Sequence, residues 1–211
     1  MQTLALPARR LGPPDEEWAA VLLTEAYAAD PAYQTLWGPD VFEPLLMWMQ
    51  LLVRYGLREG CLYTSPGEHA VALWLPDKAV PLSWGQLLRG GQLSLLLKLG
   101  GLTLQQLLRW QHTQDAWRYQ ALPVAHHYLL ALGVRPAERG RGEGRNLLRA
   151  SVAAVGGRYL PCFGQASTLS AVYFGQRLGF EVVAFAEQPA LNSLDRLPVP
   201  SWAMVRPAAA I

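Results

Sequence analysis

The 211-residue chain is 51% hydrophobic and 16% charged, with a formal net charge of +2. Intrinsic disorder, which combines low hydrophobicity with high net charge, is excluded, and no dominant basic field marks a protein built around nucleic acid. Two cysteines, Cys61 and Cys162, cannot make a disulfide framework or a four-ligand metal site. The start, MQTLALPARRLGPPDEEW, lacks the charged and continuously apolar parts of a signal peptide. No run of about 18 apolar residues reads as a membrane span, so the expectation is a cytoplasmic protein with no metal and no stable membrane association.

In chain order, Pro13-Pro14-Asp15-Glu16-Glu17 reads as a helix start, a Pro-fixed entry with acids at the positive helix end. Trp18, Val21, Leu22 and Ala26 then share one helical face, and Asp30-Pro31 stops the helix. A second helix is predicted from about Pro44 to Tyr55, closed by Gly56. Cys61 to Thr64 and Ala70 to Leu75 read as a hairpin through the turn Ser65-Pro66-Gly67-Glu68. Leu82 to Tyr119 is helix-like, and Tyr128 to Val134 has the dense apolar composition of a buried central strand. A glycine-rich loop leads to a helix from about Arg145 to Val155. Strands at Tyr159–Phe163, Glu181–Phe185 and Trp202–Val205 and a helix at Leu169–Leu178 complete the pattern. The order implies a mixed α/β (α+β) fold, a sheet with helices on both faces, in one domain spanning 1–211.

Chemistry concentrates in Leu132-Gly133-Val134-Arg135-Pro136-Ala137-Glu138-Arg139-Gly140-Arg141-Gly142-Glu143-Gly144-Arg145. A buried strand runs into a loop with glycines that allow positive φ and close approach of a ligand. The next helix begins there, so its unbonded N–H groups and positive dipole end suit a phosphate. Arg139, Arg141 and Arg145 add charge-assisted donors. A P-loop would need Gly-Lys followed by Ser or Thr, and a dinucleotide fingerprint would need Gly three residues after Gly142, where Arg145 stands.

The segment resembles motif A of the GCN5-related N-acetyltransferase (GNAT) family: a strand, then Arg or Gln, two residues, Gly, any residue, Gly or Ala. Arg139, Gly142 and Gly144 match it. His126-His127-Tyr128-Leu129 and Leu132-Gly133-Val134 with Pro136 are similar to the puromycin N-acetyltransferase-like branch. Phe163-Gly164-Gln165-Ala166-Ser167 and Phe174-Gly175-Gln176-Arg177-Leu178-Gly179-Phe180 resemble its motif B. Asp30-Pro31, Trp37, Pro39-Asp40, Ala72 to Pro76 and Pro200 to Met204 extend the likeness over most of the chain. The resemblance implies a mostly antiparallel mixed sheet with an acetyl-CoA-binding core at about 124–206. It also implies direct attack of an amine on acetyl-CoA, or another acyl-CoA, in a ternary complex without a covalent enzyme intermediate. The implied cofactor contacts are Leu132, Gly133 and Val134 for the pantetheine arm, and Arg139, Gly140, Arg141, Gly142, Glu143, Gly144 and Arg145 for the pyrophosphate. A backbone N–H near Val134 would polarise the thioester carbonyl.

Several positions depart from that pattern. The Tyr expected five residues before Phe180, as acid for the leaving thiolate, is Gly175, and the Asn four residues earlier is Ala171. Tyr173 stands two residues off, about 200° round a helix of 3.6 residues per turn. The strand acid of the branch is Gln165. Catalytic candidates are therefore His126, His127, Tyr128 and Tyr173; imidazole titrates in the useful range, and strand alternation puts His126 and Tyr128 on one face with His127 on the other. The helical insert at 77–122, rich in leucine, either covers the acceptor side or buries itself in a homodimer. Trp37, Trp84, Trp110 and Trp117 would make that side apolar, and acids are scarce nearby, Asp115 being the only one between Asp77 and Glu138. The resulting expectation is an acetyltransferase for a small amine on an apolar or aromatic scaffold, with no nucleic acid partner. The alternatives are a non-catalytic acyl-CoA-binding homologue and, less in keeping with the charge, an RNA-contacting arginine-glycine loop.

Overall fold

The computed structural model describes residues 8–79, 101–188 and 199–209. Seven strands make one sheet: β1 Arg9–Arg10, β2 Cys61–Thr64, β3 Ala70–Pro76, β4 His127–Val134, β5 Cys162–Ala166, β6 Glu181–Gln188 and β7 Val199–Arg206. Their order is β1-β2-β3-β4-β5-β7-β6. Every neighbouring pair is antiparallel except β4 with β5. The described α-helices are α1 Glu16–Tyr27, α2 Pro31–Trp37, α3 Phe42–Glu59, α4 Gly101–Ala121, α5 Glu143–Ala154 and α6 Leu169–Gln176.

The apolar run of β3 is continuous because both of its faces are covered. Val71, Leu73 and Leu75 join Leu22, Leu23, Leu45, Trp48 and Leu52 of α1 and α3 in one core. Ala70, Ala72 and Trp74 join Leu147, Leu148 and Val152 of α5 in the other. Helix α3 passes through Gly56 instead of closing there, and ends before Gly60. A Cβ on Gly56 would lie 2.8 Å from a Leu62 methyl and 3.0 Å from Leu73 Cγ, so the glycine lets the helix pack close on the hairpin. Asp30-Pro31 both stops α1 and starts α2, since Asp30 Oδ1 accepts the Ala32 N–H at 2.9 Å with Pro31 in the first turn.

The strand expected at Tyr159–Phe163 sits instead at Cys162–Ala166. Gly156, at φ +81°, turns the chain, and its carbonyl accepts the N–H groups of Tyr159 and Leu160. Those residues are consumed in the turn and Tyr159 is exposed. Residues 80–100 of the leucine-rich segment, with Trp84, lie outside the described residues. Helix α4 buries Leu108 together with the polar Gln111, Gln114, Asp115 and Arg118, so its inner face is far from purely apolar.

Two irregularities of β4 create the site. Leu73 pairs with Ala131 and Trp74 with Leu129, leaving Leu130 unmatched, a β-bulge. The bulge resets the alternation: Tyr128 and Ala131 face α1 and α3, whereas Leu129, Leu132 and Val134 face α5. Next to it, β4 pairs with β5 only at His127–Cys162, Tyr128–Phe163 and Leu129–Gly164. Beyond Gly164, β5 continues with β7 alone, through Gln165–Ala203 and Ala166–Trp202. The two parallel strands part, and the β4 backbone from Leu130 onward borders an open gap.

Candidate acyl-transfer site

The gap is a cavity of about 460 Å³ lined by β4 at Leu129–Leu132 and Val134, by Arg139, by β5 at Gly164–Ala166, and by Phe174 and Gly175 of α6. Leu132 turns both its N–H and its C=O into it. Tyr27, at the end of α1, bonds both: its hydroxyl accepts the Leu132 N–H at 3.1 Å and donates to the Leu132 carbonyl at 3.4 Å. Burial pushes the Tyr27 phenol up to about 12, with the Leu132 bond opposing. Gly133 faces the other way, where a Cβ would come 2.9 Å from both Ala26 and Leu23; the glycine lets α1 lie against β4.

At the mouth of the gap, Gly140 and Gly142 have φ of +81° and +87°, the left-handed region that other residues enter at a cost. Helix α5 starts at Glu143, and its first helical bond runs from the Asn146 N–H to the Gly142 carbonyl. The N–H groups before Asn146 therefore lack helical acceptors. Gly144 permits close contact with β4, since a Cβ would stand 2.9 Å from Val134 Cγ2. Arg139 donates to the Ala26 carbonyl at 2.7 Å, Arg141 to Glu138 at 2.7 Å, and Arg145 is exposed beside Gly142. The loop from Glu138 to Arg145 sets three arginines against Glu138 and Glu143, and the free amides and positive dipole end of α5 add to its positive side.

A smaller cavity of about 90 Å³ continues from the gap toward α2, α4 and β7. The two share Tyr27, Asp30, Leu130, Gln165, Ala166 and Ser167. Asp30 Oδ2 accepts the Ser167 hydroxyl at 2.5 Å, and burial pushes its carboxyl upward against the pull of its hydrogen bonds. Among the described residues, Asp30 has no ion-pair partner. Gln165 ties the walls together, accepting the Tyr128 hydroxyl at 3.1 Å and donating to Gln114 at 2.8 Å.

No protein-family model matches the sequence, and no curated protein matches it. Solved structures do. A "histone acetyltransferase HPA2 and related acetyltransferase" from Corynebacterium glutamicum aligns at 20% identity and TM-score 0.64, covering 97% of each chain. A Drosophila melanogaster polyamine N-acetyltransferase, which catalyses formation of N-acetylagmatine, aligns at 17% identity and TM-score 0.60, over 94% of this chain and 97% of its own. Arylalkylamine N-acetyltransferase 2 from Aedes aegypti aligns at 14% identity and TM-score 0.63, over 95% and 97%. The chain has the GNAT fold.

Within that fold, the sequence candidates separate. Leu132, Val134 and Arg139 line the gap, and Gly140 to Arg145 follow Arg139 directly in the chain without lining it. Tyr128 lines the smaller cavity with its phenol raised by burial. His126 and His127 line neither cavity. His126 is 1% exposed, its Nε2 against the Arg118 guanidinium and its Nδ1 2.6 Å from the Val124 carbonyl. Arginine can only donate, so Nε2 accepts and Nδ1 carries the proton; burial first, and Arg118 after it, lowers this imidazole's pKa against the pull of the Val124 carbonyl and Asp77. His127 lies on the opposite face near Gly156, its pKa also lowered by burial. Tyr173 is 58% exposed and lines neither cavity. Gly175 occupies the gap wall instead, where a Cβ would lie 2.9 Å from Met204 Cε.

Sequence reasoning missed Tyr27, Asp30 and Ser167. Asp30-Pro31 was legible as a helix stop, but its register against Ser167, 137 residues away, has no local signal. The shortage of acids counted along 77–138 overlooked Asp30 because that carboxylate arrives from the other end of the chain.

Proposed function

We propose that the protein is an acetyl-CoA-dependent N-acyltransferase acting on a small primary amine by direct attack in a ternary complex. The observation that carries this reading is the parted β4–β5 pair, with the Leu132 N–H facing the gap and an arginine-bearing glycine loop at its mouth. The residues fit the co-substrate. The amides and arginines from Arg139 to Arg145 would hold a pyrophosphate, and the free β4 edge from Leu132 to Val134 would pair with the amides of a pantetheine arm. The Leu132 N–H, once released by Tyr27, is the donor best placed for a thioester carbonyl oxygen. Gly175 offers no acid to the departing sulfur, but a thiolate of pKa near that of cysteine, about 8.5, leaves without one.

The similar structures include enzymes named for polyamines and for arylalkylamines, and the cavity walls favour the latter class here. Tyr27, Tyr33 and Tyr128 supply aromatic faces, Tyr33 being stacked on Trp37 at 5.9 Å. A second reading, a non-catalytic acyl-CoA-binding protein, draws on Gly175 and on the Tyr27 hydroxyl sitting on Leu132. Calorimetry with CoA and acetyl-CoA, followed by thiol release over an amine panel, tests both. Binding with turnover of arylalkylamines supports the transferase, binding without turnover of any amine supports the second reading, and absence of binding refutes both. Spermidine or lysine-rich peptides turning over at least as well as arylalkylamines would refute the aromatic acceptor.

A further inference from the structure

Two polar side chains of the smaller cavity have nothing to bond. Gln111 on α4 is 4% exposed and Ser201 on β7 is 7% exposed, and both line that cavity. Neither side chain has a hydrogen-bond partner among the described residues, and neither polar end is fully closed off by protein, so both open on the cavity. Buried amides and hydroxyls are bonded in the large majority of cases, because an unpaired one keeps the cost of leaving water. One turn along the same helical face, Gln114 shows the usual state: it accepts from Gln165, which itself accepts the Tyr128 hydroxyl. Position also sets Gln111 and Ser201 apart. Residues shared by the two cavities, among them Tyr27, Asp30 and Gln165, mark the junction with the gap, whereas Gln111 and Ser201 line only the smaller cavity beyond that junction.

We propose that Gln111 and Ser201 recognise a neutral hydroxyl at the end of the acceptor remote from its amine, and so decide which amines the site takes. The inference rests on the acetyl-transfer reading above and narrows it, because an amine on a bare apolar body leaves both groups unpaired. With the amine at the junction, beside the gap that holds the thioester in that reading, the body of the acceptor extends into the smaller cavity. Its far end then meets α4 and β7. The chemistry there selects a hydroxyl. A carboxamide both donates and accepts, and so does a serine hydroxyl. A hydroxyl is the smallest group able to satisfy the two at once, which suits a cavity of about 90 Å³. A charged end does not suit it: among the described residues Asp30, at the junction, is the only carboxylate or cation in the lining. A carboxylate at the far end would be desolvated without a counter-ion. A site that pairs a hydroxyl discriminates against the analogue lacking it, since its own buried groups are then left unpaired.

The test uses the full chain with phenylethylamine, tyramine, the meta isomer of tyramine, and the para-carboxylate analogue. In wild type, kcat/KM and calorimetric affinity for the CoA-bound protein should favour the better hydroxylated amine over phenylethylamine by about tenfold or more, with the carboxylate poorer than phenylethylamine. Gln111→Met keeps the length of the side chain and removes its donors and acceptor. The hydroxyl preference should then shrink by about tenfold, and phenylethylamine itself should gain, because the wall no longer holds an unpaired amide. Ser201→Ala should shrink the preference by about threefold. Gln111→Met breaks no internal bond, so its Tm without ligand should hold or rise. Wild type with equal kcat/KM and equal affinity for hydroxylated and bare amines overturns the inference and leaves the transferase standing. A preference that survives both substitutions, or a carboxylate accepted better than phenylethylamine, overturns it likewise. A Gln111→Met variant whose Tm falls by several degrees shows the amide bonded within the protein and also overturns it. Where no amine turns over, affinity alone decides. Wild-type protein that binds no acetyl-CoA refutes the transfer reading and this inference together.

Discussion

Removing the Tyr27 hydroxyl should tighten acetyl-CoA binding. That oxygen accepts the Leu132 N–H at 3.1 Å and donates to the Leu132 carbonyl at 3.4 Å. The first distance is ordinary for N–H···O; the second exceeds the usual O–H···O range, so one bond of about 1 kcal/mol net is at stake. An acyl carbonyl needs the same N–H and must break that bond first. Tyr27→Phe removes the competitor, so the acetyl-CoA dissociation constant should drop by up to about fivefold, since 1.4 kcal/mol is a factor of ten. Water entering the gap to take the free N–H reduces the gain. The unliganded fold loses the same bond, and its Tm should fall by about 2–4 °C for a chain of this size. Calorimetry with acetyl-CoA and with CoA separates the contributions: the gain should be larger for acetyl-CoA, which alone carries the carbonyl. A Phe variant that binds acetyl-CoA fivefold more weakly would show that Tyr27 holds the ligand and would refute the competition.

Gly142→Val should weaken CoA binding tenfold or more, by calorimetry; a Cβ there meets only Arg145 at 3.6 Å and Asn146 at 4.0 Å, so the cause is the left-handed φ of +87°, which costs a branched residue about 1–2 kcal/mol and reshapes the loop. Tyr173→Phe should leave kcat/KM within about twofold, because the side chain is 58% exposed and outside both cavities; a loss of orders of magnitude with an intact fold would refute the placement of α6. Asp15, whose carboxyl is held at about 2 chiefly by the Arg9 guanidinium and then by the Gly12 N–H, contributes stability that is full above its unfolded pKa of about 3.9 and is lost as pH falls toward 2. Acid unfolding followed by circular dichroism should therefore show Asp15→Asn and wild type converging at low pH and separated near neutrality.

Local chemistry in the chain was enough to place most elements. The short apolar run Ala70–Leu75, the turn at Ser65–Glu68 and the apolar run ending at Val134 specify the hairpin and the central strand, because apolar runs of strand length and turn residues are local signals. The spacing of Arg139, Gly142 and Gly144 likewise revealed a loop for an anionic ligand, since a turn with positive φ feeding a helix start is a local property. Three features came only from tertiary structure. The second helix runs through Gly56 because Leu62 and Leu73 close on it, and that packing outweighs a glycine's cost of about 1 kcal/mol in a helix. His126, an attractive base by sequence, is tied between Arg118 and the Val124 carbonyl, partners whose burial a sequence pattern does not report. The wall between the two cavities joins Tyr27 and Asp30 to Leu132 and Ser167 across 105 and 137 residues. Such a meeting is set by where β4 leaves β5, and that depends on the one-residue bulge at Leu130, which arises from the register of two strands and not from the composition of either.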